Sequence, residues 1–94
     1  MSELGGRAAL VTGTTGIGRA IALRLAEGGA QVMACGIDSA ANDALHAEAS
    51  RRNMTFATEP CDVSVPEQVA RVVDSTVQRF GGIDILVNAA AIHP

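Results

Sequence analysis

Short apolar runs alternate along the chain with segments whose apolar residues recur at helical spacing. The apolar runs have the length of buried strands and end at glycine or polar residues: Ala8–Thr12, Gln31–Gly36, Met54–Thr58 and Ile83–Val87. The helical pattern occupies the intervening segments: Ile17–Glu27, about Ala40–Arg52, and a stretch from Ser64–Glu67 up to Gly81. Strands that alternate with helices in this way predict an α/β fold with a parallel sheet.

Capping signals mark where the predicted helices begin and end. Asp38 or Ser39 can cap the second helix, and Ser64-Val-Pro-Glu67 has the pattern of a capping box with proline in the first turn. The glycine pairs at 28–29 and 81–82 are stop signals for the first and third helices. The third helix carries an apolar stripe for one face of the sheet: Val69, Val72, Val73, Thr76, Val77 and Phe80.

Connection rules turn this order of elements into a topology. Right-handed crossovers predict four parallel strands in the order 3-2-1-4, with the first two helices on one face and the third on the other. The strand Ile83–Val87 is then expected at an edge of the sheet. An open apolar edge and a sheet face covered by one helix both favour association with another chain.

Composition and charge narrow the class of protein. Ninety-four residues suit one domain over positions 1–94, and 48% hydrophobic with 18% charged residues argues against disorder. A net charge of −3 without a basic patch argues against nucleic-acid binding. No apolar run approaches the roughly 20 residues that span a bilayer, and residues 1–6 show no signal-peptide pattern. We therefore expect a cytoplasmic protein with no membrane or nucleic-acid partner.

Cysteine and histidine contribute no recognisable chemistry. The two cysteines, Cys35 and Cys61, form no disulfide framework and are interpreted as small buried hydrophobic residues. His46 is expected on the solvent side of the second helix, and His93 lies near the end of the sequence. No Cys/His spacing indicates zinc, so we assign no metal site.

The junction between the first strand and the first helix carries the candidate ligand site. It reads Thr12-Gly-Thr-Thr-Gly-Ile-Gly18. Glycines there let the backbone approach a pyrophosphate closely, and the helix N-terminus offers unpaired N–H groups and a partial positive charge. A glycine-rich string alone fits a plain turn, but between a strand and a helix it is a stronger signal. The predicted phosphate-binding residues are Gly13, Thr14, Thr15, Gly16, Ile17 and Gly18.

These motifs, taken together, resemble a known family. Val11–Ala20 is similar to the cofactor loop of the short-chain dehydrogenases/reductases, and three further pieces resemble motifs of that family in the same order: Cys61–Val63, Phe80–Val87 and Asn88–Ala91. The resemblance covers nearly the whole chain and only the N-terminal, cofactor-binding half of the family's usual domain. It implies a partial Rossmann-type fold and NAD or NADP as the cofactor. The loop has one residue fewer than is usual in the family, and Ala91 stands where the family usually has glycine.

The end of the second strand bears on which dinucleotide fits. NAD-preferring sites place a carboxylate there for the ribose 2′-hydroxyl, whereas NADP sites add an arginine for the 2′-phosphate. By the family's spacing these positions are Gly36 and Ile37. Asp38 comes next and either reaches the ribose or caps the following helix. Because no cation is visible nearby for a 2′-phosphate, the sequence leans slightly to NAD.

The resemblance also implies contacts beyond the glycine loop. Asp62, followed by Val63, is implied to accept a hydrogen bond from the adenine amino group, with capping of the next helix as the alternative. Asn88 is implied to lie at the cofactor together with Ala89 and Ala90. Its amide either contacts the ribose side of the cofactor or ties strands together.

The proton-transfer residues of the family have no counterparts here. In the family they are Ser, Tyr and Lys on later elements, whereas these 94 residues include no Tyr and no Lys. We therefore assign no catalytic residue and expect the chain to be inactive alone, with the catalytic half beyond Pro94 or on another chain.

Three functions remain open. The favoured one is the NAD(P)-binding portion of an oxidoreductase that transfers a hydride between nicotinamide and an alcohol or carbonyl substrate. The alternatives are a non-catalytic module that binds a nucleotide or a partner protein, and a structural fragment that binds nothing. The expected partners are the dinucleotide and either a second copy or a chain that supplies the catalytic half.

Overall fold

Helices and strands alternate in the predicted order. The structure, a computed structural model, describes residues 3–91, so His93 lies outside the described part. The elements are β1 (Ala8–Thr12), α1 (Gly16–Glu27), β2 (Gln31–Gly36), α2 (Ser39–Arg51), β3 (Phe56–Pro60), α3 (Pro66–Phe80), β4 (Ile85–Asn88) and a 3-10 turn (Ala89–Ala91).

The strands form one parallel sheet in the order β3-β2-β1-β4, which confirms the predicted topology. In the centre, Ala8–Thr12 pairs in register with Gln31–Cys35. β3 continues the sheet on the far side of β2, and β4 pairs with the free side of β1, with Thr12 opposite Asn88. Because all strands are parallel, their carboxyl ends meet along one edge of the molecule.

The two faces of the sheet are covered by different helices, as predicted. Alternate residues of a strand point to opposite faces, so Ala9 and Val11 of β1 pack toward α1 and α2, where Ala22 and Leu45 are buried. The other face packs against α3; its buried residues include Leu10, Met33, Cys35 and Val72. Small residues at every fourth position of α1 face the sheet: Gly18, Ala22 and Ala26. They allow the first helix to lie close to the sheet.

Three local predictions were wrong. The fourth strand covers Ile85–Asn88 rather than Ile83–Val87, because the bend that follows α3 continues to Asp84. The third strand covers Phe56–Pro60 rather than Met54–Thr58, because the chain turns first through Asn53, whose φ is +57°. The residue that caps α3 is Val65, and no side chain caps its N-terminus. Ser64 instead donates its hydroxyl to Asp62. Since Pro66 occupies the first helical position, the predicted capping box begins one residue too early.

The remaining boundary signals acted as expected. Asp38 caps α2 by accepting a hydrogen bond from the Ala41 N–H at 3.0 Å. Gly81 ends α3 in the left-handed conformation, with φ +86°. On α3, Val72 and Thr76 are buried, but Val77 is exposed, so the covered stripe is narrower than predicted. Within residues 3–91 no helix is both long and apolar enough to cross a membrane.

Candidate functional site

An open cleft of ≈ 420 Å³ lies at the carboxyl ends of the strands. Its walls are residues 13–18, 35–38, 61–63, 89 and 90. The chain leaves β1 toward α1 on one face, and β4, which follows α3 on the other face, lies beside β1. A crevice at such a switch point, outside the carboxyl ends, is where open α/β sheets bind ligands.

The glycine loop forms one wall of this cleft and is fixed to the sheet at its start. Gly13 donates its N–H to the carbonyl of Cys35 at 2.7 Å, which continues the pairing of β1 with β2. Its φ is +102°, a conformation that L residues with side chains rarely adopt. A Cβ at this position would also lie 3.0 Å from the backbone nitrogen of Ala90. Both conditions require glycine at position 13.

Gly18 brings the helix against the loop. A Cβ on Gly18 would overlap the carbonyl oxygen of Gly13, so the first turn of α1 packs directly on the loop backbone. Gly16 differs, because its φ is +53° and an added Cβ would have no atom within 4 Å. The space beside Gly16 is therefore open, as a ligand approaching the backbone would require.

The N-terminus of α1 opens into the cleft without a side-chain cap. Thr15 is the N-cap residue, yet its side chain makes no capping hydrogen bond, and no acidic residue lies in the first turn. The first N–H groups of a helix have no partner inside the helix. Those of Gly16, Ile17 and Gly18 therefore present donors and a partial positive charge to the cleft.

Asn88 is the one predicted site residue that does not line the cleft. Its Oδ1 accepts a hydrogen bond from the hydroxyl of Thr12 at 2.8 Å, so its amide ties β4 to β1. Ala89 and Ala90 follow in the 3-10 turn and do line the cleft. Ala91 is the last residue of the same turn.

The end of β2 and the start of α2 form the second wall. Ile37 is 76% exposed and lines the cleft beside Asp38. Asp38 is exposed as well, and its Oδ1 caps α2. The capping role expected as one alternative for Asp38 is therefore present, while the residue still borders the cleft.

The segment after β3 forms the third wall and carries a fixed carboxylate. Asp62 Oδ1 accepts from the Ser64 hydroxyl at 2.7 Å and from the Ser64 N–H at 3.0 Å. The hydroxyl and then the backbone hydrogen bond lower the pKa of Asp62 below its ordinary value. The N–H of Asp62 donates to Gln68 Oε1 at 2.8 Å, which attaches this loop to α3. Asp62 thus offers a charged acceptor beside the exposed side chain of Val63.

The sequence analysis missed two residues of the cleft floor. Cys35 and Cys61 are both buried, as predicted for small hydrophobic residues, but they also line the cleft. Burial, followed by the neighbouring Cys61 thiol, raises the pKa of Cys35 to about 12, so the thiol stays protonated. Their positions, directly before Gly36 and Asp62, were the available signal.

A third missed residue lies behind the wall. Asn42 is buried on α2, and its inward position could be inferred from its spacing to Leu45 and Ala49, the other buried positions of that helix. Asn42 Nδ2 donates to the Gly36 carbonyl at 3.0 Å. The residue therefore holds the end of β2 in place.

The described part of the chain shows no metal centre beside these walls. Within residues 3–91 there is no group of three or more His, Cys, Asp or Glu residues that could hold a metal ion. His46 is exposed on α2, away from the cleft walls. The cleft offers backbone donors at the N-terminus of α1, which suit an anionic group, while Asp38 and Asp62 supply carboxylate acceptors on its other walls.

Comparison with known proteins gives consistent matches. The family model described as short chain dehydrogenase matches residues 7–94. L-fucose dehydrogenase from Oryctolagus cuniculus is 40% identical over 90 residues, which make up 95% of this chain and 30% of that protein.

Solved structures resemble the fold along most of its length. A hydroxysteroid dehydrogenase from Escherichia coli superposes with a TM-score of 0.87 at 30% identity, over 90% of this chain and 37% of that one. An actinorhodin polyketide ketoreductase solved with NADPH gives a TM-score of 0.84 at 34% identity, over 87% of this chain and 32% of that one. The chain spans 30% to 37% of the length of these three proteins.

Proposed function

The chain belongs to the short chain dehydrogenase family, and on that premise we propose that it is the part of an oxidoreductase that binds a nicotinamide dinucleotide. The bound dinucleotide would supply the hydride donor or acceptor for an alcohol or carbonyl substrate. The chain's own contribution is to bind and orient that cofactor at the carboxyl ends of the strands.

One observation carries the proposal: the uncapped N-terminus of α1 under the glycine loop. Its first turn has neither a side-chain cap nor an acidic residue, so its N–H groups stay available to an anion. The positive φ and open surroundings of Gly16 leave room for a phosphate to approach the backbone. Phosphate binding at such a helix N-terminus uses both the donors and the helix dipole. We assign the pyrophosphate to the N–H groups of Gly16, Ile17 and Gly18.

The other walls supply the ends of the dinucleotide site. Asp62 is charged and lies at the cleft, so it can accept from the adenine amino group, with Val63 beside it. Ala89 and Ala90 extend the cleft on the side of β4, toward the nicotinamide end. Asn88 serves that end indirectly, by holding β4 to β1 through Thr12.

We propose NAD as the slightly preferred cofactor. Neither Gly36 nor the exposed Ile37 carries a charge for a 2′-phosphate, and none of the cleft residues within positions 3–91 is an arginine. Asp38 borders the same end of the cleft, where its negative charge disfavours a second anion. Because the described cleft residues include no cation to bind a 2′-phosphate, we expect only weak discrimination between NAD and NADP.

Calorimetric titration of the purified chain with NADH and with NADPH tests the proposal. We expect each to bind at one site per chain, and Gly13→Val to abolish binding because the side chain meets Ala90 at a positive φ. Gly82→Val is the matched control, since an added Cβ there has no atom within 4 Å and the backbone is not left-handed. If neither NADH nor NADPH gives a binding heat, the proposal is overturned.

Catalytic turnover requires proton-transfer residues in addition to the bound cofactor. The resemblance implies proton transfer by tyrosine and lysine, and neither residue type occurs in these 94 residues. General acid–base catalysis contributes about 10²–10⁴-fold, so we propose that the chain alone does not turn over alcohols even when it binds the cofactor. Alcohol oxidation by the purified chain, at rates typical of dehydrogenases, would contradict this.

Association and location remain predictions. β4 lies at one end of the described sheet, and its Leu86 is 66% exposed, which favours a second copy or a companion chain against this edge. Light scattering on the purified chain tests this: a monodisperse monomer would contradict it. The two unpaired cysteines suit the reducing cytoplasm proposed for the protein.

A further inference from the structure

A glutamine in the first turn of α3 contacts the loop of the cleft instead of the end of its own helix. Gln68 occupies the third helical position, after the N-cap residue Val65 and Pro66. In a capping box, a glutamine at this position accepts a hydrogen bond from the N–H of the N-cap residue. Here Gln68 Oε1 accepts instead from the N–H of Asp62, which precedes Val65 in the chain, at 2.8 Å. The side chain is therefore committed to the loop that carries a carboxylate of the cleft.

Residues 62–65 form a turn whose own hydrogen bonds fix its shape. The N–H of Val65 donates to the Asp62 carbonyl at 3.0 Å. Ser64 donates both its N–H and its hydroxyl to Asp62 Oδ1. These contacts set the orientation of the carboxylate within the turn. Because both partners belong to the turn, they do not set where the turn lies relative to the cleft.

Hydrogen bonds on either side connect the turn to the rest of the fold. The N–H of Cys61 donates to the Gly36 carbonyl at 3.0 Å, which continues the pairing of β3 with β2. That bond joins two backbone groups and does not depend on the side chain at position 61. The bond between the Asp62 N–H and Gln68, in contrast, exists only because the side chain of Gln68 supplies the acceptor. Gln68 is thus a point at which a side chain outside the turn sets its position.

The same face of α3 supports the strand that leads into the turn. Arg71 Nη2 donates to the Pro60 carbonyl at 3.4 Å, and the Ser75 hydroxyl donates to the Glu59 carboxylate at 2.5 Å. Positions 68, 71 and 75 follow the spacing of one helical face. α3 therefore carries a polar stripe along the end of β3, and its member at position 68 contacts the cleft residue Asp62.

Resting on the proposed function, in which Asp62 accepts from the adenine amino group, we propose that Gln68 is a positioning residue for recognition of the base and acts through Asp62. Ser64 supplies two donors to Oδ1, so Oδ2 is the oxygen that a ligand would use. A hydrogen bond to it requires a donor–acceptor distance of about 2.7–3.2 Å, and a displaced turn loses that distance. Gln68 thereby determines how well the cleft distinguishes adenine from a base without the amino group.

The probes are NADH and its reduced hypoxanthine analogue, which carries an oxygen in place of the adenine amino group. Calorimetric titration of each variant gives the ratio of the Kd of the analogue to the Kd of NADH. Gln68→Met keeps the length of the side chain and removes the acceptor, whereas Gln68→Glu keeps an acceptor oxygen. Gln78→Met is the matched control, because it makes the same replacement at an exposed glutamine of α3 that does not line the cleft. Thermal melting verifies that each variant is folded.

We expect the unaltered chain to bind NADH about tenfold more tightly than the analogue, as a hydrogen bond to a charged acceptor implies. Gln68→Met should reduce this ratio to about twofold or less, and Gln68→Glu and Gln78→Met should keep it. In the Asp62→Ala background, Gln68→Met should not change the ratio, because its effect passes through the carboxylate. A merely structural role for Gln68 would weaken NADH and the analogue equally and leave the ratio unchanged.

Failure of this inference is distinguishable from failure of the proposed function. If the unaltered chain binds neither NADH nor NADPH, the proposed function is overturned, and this inference with it. If the chain binds NADH no more tightly than the analogue, or if Gln68→Met keeps the ratio, the inference alone is overturned. An equal loss of the ratio in Gln68→Glu or in Gln78→Met also overturns it. If Gln68→Met does not fold, Gln68→Asn decides in its place, because the shorter amide withdraws the acceptor from the Asp62 N–H, and an unchanged ratio then overturns the inference.

Discussion

Two glycines with positive φ, one inside the cleft and one outside it, allow ligand binding to be tested apart from the stability of the fold. Gly16 and Gly81 have φ of +53° and +86°, and an added Cβ at either has no atom within 4 Å. Gly16 begins α1 and lines the cleft, whereas Gly81 ends α3 and does not. Alanine at either position therefore introduces backbone strain without a clash inside the protein.

The expected stability cost is the same for both variants. A left-handed alanine costs about 1–2 kcal/mol, and alanine recovers about 0.4–1 kcal/mol by restricting the unfolded chain. The net loss is about 1 kcal/mol, which lowers the melting temperature of a domain of this size by about 4–8 °C. Gly16→Ala and Gly81→Ala should therefore melt within a few degrees of each other.

Cofactor binding should separate the two variants. The methyl group of Gly16→Ala fills space through which a phosphate approaches the first turn of α1, so we expect NADH affinity to fall at least about tenfold, or roughly 1.4 kcal/mol. Gly81→Ala should bind as the unaltered chain does. Melting curves and calorimetric titrations of both variants provide the measurement. Equal affinity in the two variants, or a loss with Gly81→Ala alone, would refute the assignment of the pyrophosphate to this helix end.

Three further outcomes follow from single side chains. Ile37→Arg should strengthen NADPH binding about tenfold by adding a charge-assisted contact to the 2′-phosphate. Ile37→Gln, which has similar reach and no charge, should not strengthen it. Equal effects of the two variants in calorimetric titrations would contradict the proposal that the adenosine ribose binds beside position 37. The pKa of Asp62 is lowered in the folded state, so its stabilisation is complete above the unfolded pKa of about 3.9 and is lost as the pH falls through the folded value. Urea unfolding measured from pH 5 downward should show that the free energy of unfolding falls less steeply with pH in Asp62→Asn and Ser64→Ala than in the unaltered chain. Identical pH dependence in all three would contradict this. The pKa of Cys35 is raised to about 12 in the folded chain. The free energy of unfolding should therefore decline as the pH rises above the ordinary thiol value of about 8.5, and this decline should be smaller in Cys35→Ala. Iodoacetamide at pH 8 should label Cys35 only after unfolding, and rapid labelling of the folded chain would show that the thiol is accessible.

The sequence was sufficient to predict the topology because the pattern and the connection rules allow few alternatives. Near-continuous apolar strands such as Ala8–Thr12 fit only a sheet covered on both faces, and crossover handedness then sets the order of strands. Boundaries depended on finer chemistry. The helix α3 begins at Pro66 rather than at Ser64, and β3 begins at Phe56 because the chain first turns through Asn53. The apolar pattern contains no information on these local backbone constraints.

The cleft could be predicted only where its residues are contiguous in the sequence. The glycine loop and the segments beginning at Gly36 and Asp62 carry local signals, and the structure brings them together. Cys35 and Cys61 directly precede predicted site residues but were interpreted as core residues alone, because adjacency in the sequence does not show that a buried side chain also borders a cleft. The spacing of Asn42 could indicate an inward position, but its hydrogen bond to the Gly36 carbonyl depends on how α2 and β2 meet. The hydrogen bond between Thr12 and Asn88 likewise joins residues of two strands that are distant in the sequence, so the sequence alone could not predict it.

The central claim is that the dinucleotide phosphates bind to the N-terminus of α1, and amide NMR of the isotopically labelled chain tests it most directly. During titration with NADH, the largest amide shifts should occur at Gly16, Ile17 and Gly18, with smaller ones at Asp62 and Ala90. Amides at the opposite end of the sheet, such as those of Asn53 and Thr55, should stay unchanged. If NADH binds saturably but the amide chemical shifts of Gly16, Ile17 and Gly18 do not change, the account is contradicted.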